Sequence, residues 1–202
     1  MNLSKLFELQ RQLDERIERE HPRQDGEDRL AKKILALQVE IGELANEARF
    51  FKYWSNNQKP RTLAYDECPC GTDYGSCDEY GCSDGLLKYN PLLEEYVDCL
   101  HFILSIGLEI IQQDSIDIEI EKWKSCGMAE SETIVWQFLS IMYMTNEVYY
   151  GEYGEEGILS YELLFAKFIH LGEMLGFTWS EIEQAYMKKN AENHRRQDSG
   201  VY

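Results

Sequence analysis

Two pairs of acidic side chains carry the first chemical signal. Glu40 and Glu43 lie three apart in VEIGELANEARFFKYW, with Glu47 four further on, and Glu95 and Asp98 repeat the three-residue spacing in LLEEYVDCLHF. At about 100° per residue, Glu40, Glu43 and Glu47 fall within roughly 60° of one another on a helix, beside the apolar stripe rather than opposite it. Glu95 and Asp98 stand at a similar offset from Leu92, Tyr96, Cys99 and Ile103. If the two stripes pack together, four carboxylates converge. Such a concentration of like charge is costly without cations, and hard oxygen ligands suit Mg²⁺ or Mn²⁺. The competing reading is a pair of solvated acidic faces on good helix formers.

The elements that must position these groups follow from periodicity. Leu3, Leu6, Leu9, Leu13 and Ile17 recur at helical spacing until Pro22 and Gly26. A second helix is predicted from about Asp28 to Trp54, with Leu30, Ile34, Leu37, Ile41, Leu44 and Ala48 as its buried stripe. Pro91 opens a third, reaching about Gln113. Further helical patterns cover Ile116 to Trp123, Ser131 to Tyr150, Ser160 to Leu175 and Ser180 to Arg196, with Thr178 and Ser180 both acceptable N-caps for the last. No hairpin signal stands out, so the expected fold is all-α, one domain spanning residues 1–202, with an irregular insertion over Asn56 to Asn90.

Bulk properties narrow the classes. The 202 residues are 44% hydrophobic, enough for a sizeable core, and the net charge of −17 argues against binding nucleic acid through its phosphates. It leaves room for a nucleotide, because bound divalent cations invert the local field. No apolar run approaches a membrane span and MNLSKLFELQ lacks a signal-peptide core, so a cytoplasmic protein is expected.

Beyond the acidic pairs, the chain resembles the dimeric dUTPase family within the all-α nucleoside triphosphate pyrophosphatases, the superfamily of the MazG-like enzymes. LQVEIGELANEARFFKYWS and LLEEYVDCLHFILSIGLE read as its signatures, and YMKKNAENHRRQDSGVY resembles its C-terminal motif KNxxNxxRQxxGY. The resemblance implies a helical bundle of the pyrophosphatase type that hydrolyses dUTP, and dUDP, to dUMP, limiting dUTP and supplying dUMP for dTMP synthesis. Carried over by motif, Glu40, Glu43, Glu95 and Asp98 hold Mg²⁺, and Glu43 is the candidate to orient or deprotonate the attacking water. Lys189, Asn193 and Arg196, on one face with Tyr186, grip the phosphates, with Lys52 as a further contact, whereas Asn190 and Gln197 point toward packing or a partner subunit. Gln10, Asp14 and Trp54 read the base. Asp14 departs from the family's second amide, since a carboxylate only accepts hydrogen bonds. The chain also stops at Gly200-Val201-Tyr202, where relatives commonly continue. A homodimer is implied by resemblance alone.

Two other readings stay open: a related pyrophosphatase acting on dCTP or non-standard nucleotides, and a non-enzymatic acidic interaction protein. The segment CPCGTDYGSCDEYGC raises a separate question. Cys68, Cys70, Cys77 and Cys82 offer four thiolates for zinc, but zinc knuckles usually begin with CxxC, so an exposed loop of reduced thiols is favoured over a structural Zn²⁺ site.

Overall fold

The computed structural model describes residues 2–200 except 69, 71–75, 78–81, 112–119 and 152–153, with backbone alone at 76, 77, 120 and 121. The start of the helix expected from Ile116, the thiol of Cys77 and the closing residues 201–202 lie outside this description.

Long helices form the body of the protein. α1 (Leu3–Glu20) precedes α2 (Arg29–Ala48), which is capped by the Asp28 carboxylate accepting from the Ala31 N–H. α3 (Pro91–Ile110) starts behind Asn90, whose side chain accepts from the Leu93 N–H, with proline in the first helical position. α4 (Ile120–Ser125), α5 (Ile134–Tyr150), α6 (Glu155–Met174) and α7 (Trp179–Ser199) complete the set. Thr178, rather than Ser180, caps α7, through a reciprocal pair in which its hydroxyl accepts from the Glu181 N–H and the Glu181 carboxylate accepts from the Thr178 N–H.

The predicted stripe of α2 is buried as expected and packs on α3. Two glycines let α3 and α6 approach closely. A side chain at Gly107 would overlap the Tyr161 hydroxyl, which donates to the Ile103 carbonyl at 3.0 Å, and one at Gly172 would meet Tyr96, whose hydroxyl donates to the Phe168 carbonyl at 3.1 Å. Tyr96 and Phe168 stack 4.3 Å apart in the same layer.

Several boundaries differ from the sequence reading. α2 ends at Ala48, not Trp54, because Arg49 takes a left-handed φ of 65° and its N–H closes on the Ala45 carbonyl. Phe50, Phe51, Tyr53 and Trp54 therefore stand on successive turns beyond the helix. α6 begins five residues earlier than Ser160, with Glu155 and Glu156 in its first turn, where they favour the helix dipole.

The insertion is also more regular than expected. β1 (Ala64–Glu67), β2 (Ser76–Cys77), β3 (Cys82–Ser83) and β4 (Leu86–Tyr89) form an antiparallel sheet in the order β1-β4-β3-β2. Asp84 and Gly85, with φ of 50° and 72°, make the two-residue turn between β3 and β4. Asp-Gly is the residue pair that a turn with two positive φ angles favours, and only the shortness of β3 hid the hairpin. No helix among the described residues is long and apolar enough to cross a membrane.

Candidate active site

The packing of α2 on α3 brings three of the acidic side chains together. One carboxylate oxygen from each of Glu40, Glu43 and Glu95 lies within 4.8 Å of the others. Asp98, one turn along α3 from Glu95, is held by Lys189 of α7, whose Nζ donates to Oδ2 at 2.6 Å. Partial burial raises the Glu40 carboxyl to about 7, reinforced by Asp98 and Glu43 and opposed by Lys189. Glu95 is also pushed up to about 7, by burial first and then by Asp98, Glu43 and Glu40. These are carboxylates crowded beyond what water and one lysine relieve. A donor set of hard oxygens in that condition fits a divalent cation, which replaces the missing positive charge.

Glu47 takes no part in this cluster. It faces Arg61, with Nε 3.0 Å from Oε2, and its carbonyl accepts from the Arg61 N–H. The beginning of the insertion is thereby tied to the end of α2.

A cavity of about 790 Å³ runs alongside, lined from α1, α2, α3 and α7. Glu40 and Asp98 contribute to its wall, and so do Lys189, Asn193 and Arg196 from α7 and Gln10 and Asp14 from α1. Glu192 holds Arg196 at 3.3 Å and so orients it along the helix. Asn190 and Gln197 turn inward and are buried.

Trp54 and Lys52 are not on this wall. Trp54 is 66% exposed, its ring edge-on to Phe51 and Tyr53, and Lys52 Nζ donates to the Asn46 carbonyl.

Ser105, Lys33 and His101, to which the sequence assigned no role, also line the cavity. The Asp14 carboxylate accepts from Gln10 Nε2 at 2.7 Å and from Ser105 Oγ at 2.5 Å, with Lys33 Nζ 3.6 Å away. Because Asp14 accepts only, the Gln10 amide nitrogen must face it, which turns Gln10 Oε1 toward Tyr186 and His101. The Tyr186 hydroxyl donates to Oε1 at 2.9 Å and His101 Nδ1 lies 2.7 Å from the same atom, so His101 carries its proton on Nδ1. Burial, with Lys189 nearby, pushes the imidazole down to about 3 and keeps it neutral. His101 also stacks on Tyr186, with centroids 4.2 Å apart. One helical turn separates His101 from Asp98, a spacing visible in the sequence, but its partner on α1 was not.

A family model described as dUTPase matches residues 2–67 and 85–201. The chain belongs to that dUTPase family. The two matched stretches include both acidic pairs and the C-terminal motif up to but not including its last residue, and the break between them falls on the cysteine segment. As a dUTPase the protein is a dUTP diphosphatase of the all-α type, which sets aside the non-enzymatic reading. Comparison with curated proteins gave no match.

Proposed function

We propose that this dUTPase hydrolyses dUTP with one water to dUMP and pyrophosphate, and dUDP to dUMP and phosphate, in a Mg²⁺-dependent reaction that Mn²⁺ also supports. The observation that carries this reading is the convergence of Glu40, Glu43 and Glu95 beside the Lys189–Asp98 pair, at one end of a cavity of nucleotide size. Glu40, Glu43, Glu95 and Asp98 hold the metal, which when bound supplies Lewis-acid neutralisation of the triphosphate charge.

The chain's own residues account for the rest. Glu43, the exposed member of the cluster, orients the attacking water and takes its proton. Lys189 neutralises Asp98 until the substrate arrives, and then shares its charge with a phosphate oxygen. Asn193 and Arg196 add a polar and a cationic contact along the same face of α7, and Lys52, off the cavity wall, is kept as an outer phosphate contact carried by the motif alone. Gln10 keeps one amide hydrogen beyond the one given to Asp14, and that hydrogen is available to a base carbonyl. Asp14 orients Gln10 through one oxygen and holds Ser105 through the other, and its remaining lone pairs can accept uracil N3–H. Trp54 is the proposed stacking partner of the base.

The whole chain is proposed to act as one domain and to pair as a homodimer. Trp136, Leu139 and Tyr143 on α5 and Leu35 and Val39 on α2 leave an apolar stripe exposed on two helices that pack side by side. The products place the enzyme where dUTP is limited and dUMP is supplied for dTMP synthesis, in the cytoplasm.

Pyrophosphate release measured on dUTP, dCTP, dTTP and UTP, with and without Mg²⁺, tests the reading. Preference for dUTP that vanishes without the ion is the expected result. Preference for dCTP would instead select the sister pyrophosphatase reading.

A further inference from the structure

Two cysteines of the insertion, Cys68 and Cys82, are buried away from the helical core. Cys68 and Cys82 retain 7% and 2% of their surface, yet neither belongs to the hydrophobic cluster of the helices. Their described neighbours Tyr65, Asp66, Glu67, Ser83 and Asp84 are exposed. The expectation of an exposed loop of thiols is therefore overturned for these two. Among the described residues they meet one another: Sγ atoms of Cys68, Cys70 and Cys82 all lie within 4.8 Å, and those of Cys70 and Cys82 are 3.5 Å apart.

The backbone explains the convergence despite the irregular spacing. Cys68 follows β1, and its N–H donates to the Gly85 carbonyl at 2.7 Å, which docks it on the β3–β4 turn. Cys82 opens β3 next to that turn, and the register sets Cys77 of β2 opposite Cys82.

We propose that Cys68, Cys70 and Cys82 supply three thiolate ligands of a structural zinc site that staples the insertion of this dUTPase. Thiolates select zinc among the divalent ions over the magnesium that suits carboxylates, and a tetrahedral Zn–S₄ centre has sulfur–sulfur edges of roughly 3.8 Å. The observed sulfur separations need only small adjustments to reach that figure. A sheet of two- and four-residue strands has little independent stability, and a bound metal supplies a cross-link. The segment falls in the break of the family match, so the site belongs to this chain's insertion and is independent of the phosphate chemistry.

Metal analysis and cobalt substitution on the full chain test the proposal. Protein purified under reducing conditions and dialysed without chelator should retain about one zinc per chain. Exchange with Co²⁺ should give the intense near-ultraviolet thiolate-to-cobalt charge-transfer band. Cys68→Ser and Cys82→Ser should each reduce that band and zinc retention at least severalfold, whereas Glu43→Gln should leave both unchanged. Reduced wild-type protein that takes up Co²⁺ without a thiolate band would overturn the site, as would a band or a zinc content that survives both serine substitutions. A Cys70–Cys82 disulfide in protein kept under reductant, read by intact mass, would overturn it too. The wild-type spectrum decides the matter even if the serine variants do not fold.

Discussion

Lys189 reaches from the last helix to Asp98 on the third, with Nζ 2.6 Å from Oδ2. The contact joins sequence elements 91 residues apart and puts one cation against a group of four carboxylates. It also places the phosphate-facing side of α7 beside the proposed metal ligands.

Replacing Lys189 with Met removes that cation from both tasks. The expected result is a KM for dUTP raised about tenfold to a hundredfold, the range of a lost charge-assisted hydrogen bond, with a higher Mg²⁺ requirement. Steady-state kinetics across a magnesium titration measures both.

Glu43→Gln and Asp98→Asn keep the shape of the site and lose its charge. Each should lower kcat by at least about a hundredfold with an unchanged far-ultraviolet circular dichroism spectrum. Activity retained in both variants would refute the metal assignment.

Stability should depend on pH in an unusual direction. Glu40 and Glu95 have folded-state values near 7, above the unfolded carboxylate range, so the folded chain binds more protons between about pH 4.5 and 7. Their contribution is therefore fully present below about pH 4.5 and is lost as the pH rises through 7. Thermal unfolding without divalent ions should show the melting temperature falling across that window. Saturating Mg²⁺ should flatten the fall, since the ion binds the ionised form, and removal with EDTA should restore it.

His101→Phe preserves the ring stacked on Tyr186 and deletes the Nδ1 donor to Gln10. With its oxygen held only by Tyr186, the Gln10 amide is less well oriented. KM for dUTP should rise severalfold, in line with one net hydrogen bond, while kcat changes less. The ratio of dUTP to dCTP turnover reports whether base selection was affected.

Trp136→Asp together with Leu139→Asp puts charge into the exposed stripe of α5. Sedimentation velocity should then give a monomer where the parent gives a dimer. A parent that sediments as a monomer at micromolar concentration would refute the pairing surface.

The sequence by itself determined the helices, because a stripe such as Leu30, Ile34, Leu37, Ile41 and Leu44 is a local property of a 3.6-residue period. It also determined which acids share a face and where the cationic motif of α7 lies, and from these the family was legible. Helix ends were less so: Arg49 stops α2 through a backbone conformation for which arginine carries no mark. Only the tertiary structure decided that Glu47 turns away to Arg61, that Asp14 accepts from Gln10 and Ser105, and that His101 on α3 meets α1. It likewise gathered cysteines whose spacing fits no common knuckle. The physical reason is the same in each case. Periodicity records which way a side chain leaves its own helix or strand, whereas the group it meets there depends on how two elements distant in sequence are packed, and that is fixed by the shape of the whole core.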